Sequence, residues 1–120
     1  MKKILIVEDN AVNRELLREL LETRGYEVSE ACDGQEALTK NEEVVADILL
    51  VDIGMPVLDG YGFIRKFRET PKWKDVPVLA VTAYAMEGDK KKILDAGFDG
   101  YLSKPIEPAP LDRELARLLT

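Results

Sequence analysis

The sequence predicts a single α/β domain, a doubly wound parallel sheet of five strands covered by five helices. Three observations carry that prediction. Short β-rich apolar runs alternate along the chain with amphipathic helical stretches. The run Ile48-Leu49-Leu50-Val51 is apolar at successive positions, the pattern of a strand buried on both faces, as in a parallel sheet sandwiched between helices. Four of the five predicted strands end in a chemically capable residue: Glu8 and Asp9, Asp52, Thr82 and Lys104. Parallel strands share one carboxyl edge, which is where open α/β sheets bind ligands.

The elements follow in order. Lys3 to Val7 is a β-rich run, and Asp9 or Asn10 behind it can cap the next helix by accepting from its free amides. That helix runs to about Arg24, with Val12, Leu16, Leu17, Leu20 and Leu21 as its apolar stripe and Arg14, Glu15, Arg18, Glu19 and Glu22 outside. Gly25 is a suitable left-handed terminator. Tyr26 to Ala31 alternates as a second strand, and Asp33-Gly34 turns into a helix carrying Ala37 and Leu38. Asp47 to Asp52 is the central strand, broken by Gly54 and Pro56, and Asp59-Gly60 is a structural turn that starts a third helix with Phe63, Ile64 and Phe67. Thr70 to Asp75 reads as a surface loop that places Trp73 far from the strand ends. Val76 to Val81 is the fourth strand, ending in Thr82-Ala83-Tyr84. Met86 to Ala96 is a charged helix, with Gly97 as its terminator and Lys90-Lys91-Lys92 as a solvated face. Phe98 to Leu102 is the fifth strand, ending at Ser103-Lys104-Pro105, and a last helix after Pro110 aligns Leu111, Leu115, Leu118 and Leu119.

Composition narrows the function. The 120 residues are 46% apolar and 33% charged, so one core can form and disorder is not expected. No apolar run approaches the length of a membrane span and no signal peptide precedes the first strand, so a cytoplasmic protein is expected. Cys32 is the single cysteine, read as a passive small residue, and there is no histidine; internal disulfides, ordinary zinc sites and histidine-based triads are excluded. A net charge of −6 disfavours nucleic acid, which is bound by neutralising phosphates, and points to protein partners.

The strand-end residues, far apart in sequence, converge in one crevice if the strand order is 2-1-3-4-5, with the second strand at the edge. Three carboxylates against one ammonium leave two negative charges uncompensated, which a divalent cation would neutralise. Oxygen ligands alone favour Mg2+, with Asp9 and Asp52 as direct ligands and Glu8 acting through water. Lys104 and the Thr82 hydroxyl can then receive phosphoryl oxygens while Asp52 attacks phosphorus, giving an aspartyl phosphate.

Glu8-Asp9, Asp52 followed by Met55-Pro56 and Asp59-Gly60, Thr82-Ala83 and Lys104-Pro105 together resemble the receiver domain of two-component response regulators, over the whole chain. The resemblance implies a flavodoxin-like fold with strand order 2-1-3-4-5, and Mg2+ held by Asp9, Asp52 and the Gly54 backbone carbonyl. It implies a phosphoryl group on Asp52, bound by Thr82, the Ala83 backbone amide and Lys104, and delivered by a sensor histidine kinase or histidine phosphotransfer protein. Thr82 and Tyr101 match the family's switch pair, which remodels the face formed by the fourth helix, fifth strand and fifth helix for a downstream protein. Lys104-Pro105 matches a peptide bond that is usually cis in the family. By the same analogy Asn13, Arg14 and Leu17, with Pro105 and Ile106, face the phosphodonor. The resemblance further implies that Gly54 and Tyr84 flank the path of the hydrolytic water and are expected to set the dephosphorylation rate, Tyr84 shielding and Gly54 opening. The expected protein is a monomer or a phosphorylation-dependent dimer. Met1 directly before the first strand suggests residues 1–120 are a stand-alone receiver with no output domain.

Three alternatives compete. A haloacid-dehalogenase-like phosphatase would carry a second Asp two residues after its nucleophile, where this chain has Gly54. A flavodoxin-type flavin carrier would cradle a phosphate in its first loop, where Glu8-Asp9 would repel one. A pseudo-receiver would bind partners without phosphorylation, although every acidic, hydroxyl and amine position is filled.

Overall fold

The computed structural model describes residues 2–43, 45–54, 59–83 and 87–119. The elements run β1 (Lys3–Val7), α1 (Ala11–Thr23), β2 (Glu27–Ala31), α2 (Gly34–Glu43), β3 (Ile48–Asp52), α3 (Gly60–Glu69), a short 3-10 turn (Pro71–Trp73), β4 (Val78–Thr82), α4 (Glu87–Ala96), β5 (Gly100–Ser103) and α5 (Pro108–Leu119). All strand pairs are parallel and the sheet order is β2-β1-β3-β4-β5, as the convergence of strand ends required.

Alternation along the strands builds two cores. Leu5, Val7, Leu49, Val51, Val78 and Ala80 project to one face and pack with Phe63, Ile64 and Phe67 of α3 and Ile93 of α4. Ile4, Ile6, Ile48, Leu50, Leu79 and Val81 project to the other and meet Leu17 and Leu21 of α1 and Leu111 and Leu115 of α5. Every residue of β3 is therefore buried, and the strand delivers Asp52 from a fully desolvated run. Register sets Val7 beside Val51 and Asp52 beside Val81, so β1, β3 and β4 end level with one another.

The structure corrects four local expectations. Val12 is 64% and Leu16 56% exposed, so the apolar stripe of α1 is narrower than its sequence implies. At roughly 100° per residue these side chains lie a quarter turn or more from Leu17 and Leu21, which take the sheet-facing line. Trp73 is not on a solvated loop: it is 2% exposed. The 3-10 turn, closed by the Trp73 amide on the Thr70 carbonyl at 3.0 Å, folds the indole onto Phe67 with ring centroids 5.2 Å apart. β4 begins at Val78, two residues late, because Pro77 has no N–H to give the ladder. α5 begins at Pro108, before the second proline; the first helical turn has no intrahelical use for those N–H groups, so Pro108 and Pro110 fit there. Met86, expected to open the fourth helix, lies outside the described residues, as do Met55, Pro56 and Tyr84. Among the described residues no helix is long and apolar enough to cross a membrane.

Candidate functional site

The site forms where β1, β3 and β5 run out. β1 ends by sending Glu8 inward, 4% exposed, while Asp9 faces solvent. Asn10, not Asp9, caps α1: its Oδ1 accepts from the Asn13 amide at 3.0 Å. The Asn10 amide in turn donates to Glu8 Oε2 at 3.2 Å, which fixes the carboxylate against its own loop. Asp52 is 8% exposed, and its Oδ1 accepts from the Gly54 amide at 3.0 Å. Lys104 follows β5 and is joined to Pro105 by a cis peptide bond. Its backbone amide donates to the Thr82 carbonyl at 2.8 Å, and its Nζ lies 3.0 Å from both Glu8 Oε1 and Asp52 Oδ2.

One ammonium thus bridges two buried carboxylates while a third, Asp9, stands beside them. Glu8, Asp9 and Asp52 each offer an oxygen, all within 4.8 Å of one another. Burial, then the hydrogen-bonded neighbour Asp52, pushes the Glu8 carboxyl up to about 7, with Lys104 opposing both. Burial pulls the Lys104 ammonium down, but Glu8 and Asp52 outweigh it and the group sits above the ordinary lysine value. The cluster therefore carries more negative charge than Lys104 neutralises. A close-set, all-oxygen, anionic donor group suits a hard divalent cation and fits Mg2+, with Glu8, Asp9 and Asp52 as the residues that would hold it.

The remaining sequence-predicted residues fall around this centre. Thr82 is buried at the end of β4, paired in register with Ser103 beside Lys104, and Ala83 follows it at the surface. A Cβ on Gly54 would stand 3.8 Å from Asp52 Oδ1, so a side chain there would begin against the carboxylate. Asp59 caps α3 by accepting from the Gly62 amide at 2.8 Å. Gly60 packs so closely on the β3 end that a Cβ would meet Ile53 Cα at 2.6 Å, which leaves room for glycine alone. Tyr101 is half-buried on β5 with Lys90 Nζ 5.6 Å from its ring centroid, so the lysine run is not a purely solvated face. Tyr84 lies outside the described residues, and with it the shielding role expected of it.

Leu17, only 6% exposed, still lines a groove it shares with Asn13, Pro105 and Ile106. One member of the expected donor-facing set is placed otherwise. Arg14 turns back: its Nη1 donates to the Glu8 carbonyl at 2.9 Å and the Asp9 carbonyl at 3.3 Å. Sequence reading missed this hold on the acidic loop. A signal existed, since Arg14 sits four residues after the Asn10 cap, on the first turn of α1, within a long side chain's reach of the loop.

Residues 4–116 match the response regulator receiver domain family. The chain is 40% identical to the polar-differentiation response regulator DivK of Brucella anthropi over 105 residues, covering 88% of this chain and 85% of that one. It is 41% identical over 114 residues to hybrid signal transduction histidine kinase I of Dictyostelium discoideum, spanning 89% of this chain but 7% of the kinase. Among solved structures, chemotaxis protein CheY4 of Vibrio cholerae superposes with a TM-score of 0.93 at 34% identity, over 99% of each chain. The receiver domain of a Pseudomonas aeruginosa sensor histidine kinase, solved with a magnesium ion coordinated in its active-site cleft, superposes with a TM-score of 0.90 at 40% identity, over 98% of this chain and 97% of that one.

The chain belongs to the response regulator receiver domains of two-component signalling. It is a phosphoryl acceptor that takes the group on an aspartate, not a turnover enzyme, and its acidic cluster has a geometry consistent with Mg2+ coordination. The phosphatase and flavin-carrier alternatives give way to this family.

Proposed function

We propose that Asp52 is the phosphoacceptor of a cytoplasmic switch that receives its phosphoryl group from a histidine kinase or a histidine phosphotransfer protein. The observation that carries this is the Lys104 ammonium, shared between Asp52 and Glu8 at 3.0 Å each, on a cluster suited to a divalent cation. Asp9, Asp52 and the Gly54 carbonyl would hold the ion directly, and Glu8 would act through water. Bound Mg2+ supplies the positive charge that lets anionic phosphate approach three carboxylates.

The residues then divide the work. An Asp52 oxygen attacks phosphorus, the new O–P bond forms as the donor's N–P bond breaks, and the electron pair leaves on the donor imidazole. Lys104, the Thr82 hydroxyl and the Ala83 amide take the phosphoryl oxygens. Hydrolysis reverses the state: water attacks phosphorus and the Asp52 carboxylate departs. Gly54 and Tyr84 govern that water's access. Thr82, drawn towards the phosphoryl group, carries Tyr101 with it and remodels the surface of α4, β5 and α5 for a downstream protein or a second copy of the chain.

A groove of about 370 Å³ supports the donor assignment. Asn13, Leu16, Leu17, Leu20, Pro105 and Ile106 line it, and it opens onto Glu8 and Lys104. A donor docked along that groove would bring its phosphohistidine to the edge of the cluster at Glu8 and Lys104.

The test is chemical mapping. Borohydride reduces an acyl phosphate on aspartate to homoserine, so peptide mapping of phosphorylated, reduced protein should find homoserine at position 52. Homoserine elsewhere would displace Asp52, and none at all under conditions that phosphorylate a control receiver would favour the pseudo-receiver reading.

A further inference from the structure

We propose that Arg14 is a positioning residue that holds the acidic loop in its metal-ready shape, resting on the reading of Glu8, Asp9 and Asp52 as the metal-binding set. The Glu8 amide makes the last ladder bond of β1, to the Ala31 carbonyl at 3.1 Å. Beyond it the Glu8 and Asp9 carbonyls point to one donor, Arg14 Nη1, at 2.9 and 3.3 Å. Satisfying two successive carbonyls with one planar group fixes both peptide planes, and with them the directions in which the two acidic side chains leave the backbone.

The guanidinium is itself held. Arg14 Nε lies 3.7 Å from Glu30 Oε1 on β2, and Glu30 Oε2 accepts from Arg18 Nη1 at 2.5 Å. Arg18 also pairs with Glu22 at 3.2 Å. The chain of charges anchors Arg14 to the edge strand and α1, away from the phosphodonor groove, and Glu30 offsets its charge. Its role is therefore geometric. Three carboxylates within 4.8 Å repel one another before a cation arrives, and Lys104 ties only Glu8 and Asp52 through their side chains. Arg14 secures Asp9 through its backbone. Outer groups that orient metal ligands commonly set affinity without touching the metal.

The experiment compares wild type, Arg14→Ala, Arg14→Lys and Glu30→Gln in the full chain, using Mg2+ itself as the probe. Titration calorimetry gives the Mg2+ Kd, NMR hydrogen exchange in metal-free protein follows the 8–10 amides, and acetyl phosphate gives the phosphorylation rate against Mg2+ concentration. Arg14→Ala is expected to weaken the Mg2+ Kd roughly 10-fold, to speed exchange at residues 8–10 selectively, and to keep the wild-type rate once Mg2+ saturates. Arg14→Lys should recover part of the affinity and Glu30→Gln lose a smaller part. Wild-type Kd and exchange in Arg14→Ala, with only transfer from a phosphohistidine protein slowed, would make Arg14 a partner contact and overturn the proposal. Faster exchange across the whole sheet would reduce Arg14 to general stability and overturn it too. If wild type itself binds no Mg2+, the proposed function fails at its root and the role of Arg14 with it.

Discussion

Lys104 Nζ lies 3.0 Å from Asp52 Oδ2, joining the ends of β5 and β3 across 52 residues of chain. The same nitrogen is equally close to Glu8, so removing it leaves two buried carboxylates facing each other with no cation between them. Lys104→Ala is expected to slow phosphorylation by acetyl phosphate roughly 100-fold, the scale for losing one fixed donor to a charge developing in the transition state. Mg2+ affinity should not fall, because a competing cation has been removed. Time courses by intact mass decide this, and a wild-type rate in the variant would contradict it.

Glu8 makes metal-free stability depend on pH. Its carboxyl is raised from 4.5 to about 7 in the fold, so the folded state binds more protons than the unfolded one between those values. Stability therefore falls as pH rises: the Glu8 contribution is fully present below 4.5 and lost as pH passes through about 7. Thermal unfolding without Mg2+ should show a declining midpoint over this window, flattened in Glu8→Gln. Adding Mg2+ should recover stability at the alkaline end, since binding to the folded state alone stabilises it.

Leu16 is 56% exposed beside the groove that ends at Lys104. Leu16→Asp is expected to leave folding and acetyl phosphate labelling unchanged while slowing transfer from a phosphohistidine protein about 10-fold or more, as loss of a central apolar anchor does. Equal transfer rates from the protein donor would remove this face from the encounter.

Much of this arrangement was legible in the sequence. β3 announced itself because a short apolar run stopped by Asp52, Gly54 and Pro56 reads as a strand covered on both faces, and its abrupt end at Asp52 located the crevice. Strand order then brought Glu8, Asp9, Asp52 and Lys104 together, since parallel strands end on one edge. What escaped was decided by tertiary geometry. Periodicity marks α1 as amphipathic but does not tell which of two adjacent apolar lines meets the sheet, so Val12 and Leu16 read as inward and lie outward. Trp73 is buried by a turn that folds it onto Phe67, a contact no local pattern encodes. Arg14 looked like solvated charge because a long side chain's direction is set by the carbonyls within its reach.

Gly60 ties the β3 loop to α3. A methyl group there would press on Ile53 Cα at 2.6 Å, one residue from Asp52. Gly60→Ala is expected to cost about 1–3 kcal/mol, the range for overpacking a site that cannot relax. It should also slow phosphorylation, since Asp52 moves with the loop. Urea unfolding and labelling rates together test this; unchanged values in both would show the loop to be more compliant than the geometry allows.

The central claim is that Asp52 is reversibly phosphorylated in a site that needs a divalent cation. Intact-mass measurement after incubation with acetyl phosphate and Mg2+ tests it most directly. Wild type should gain one phosphoryl group, Asp52→Asn none, and chelation of Mg2+ should abolish the gain. The same mass gain in Asp52→Asn, or labelling indifferent to chelation, would contradict the account.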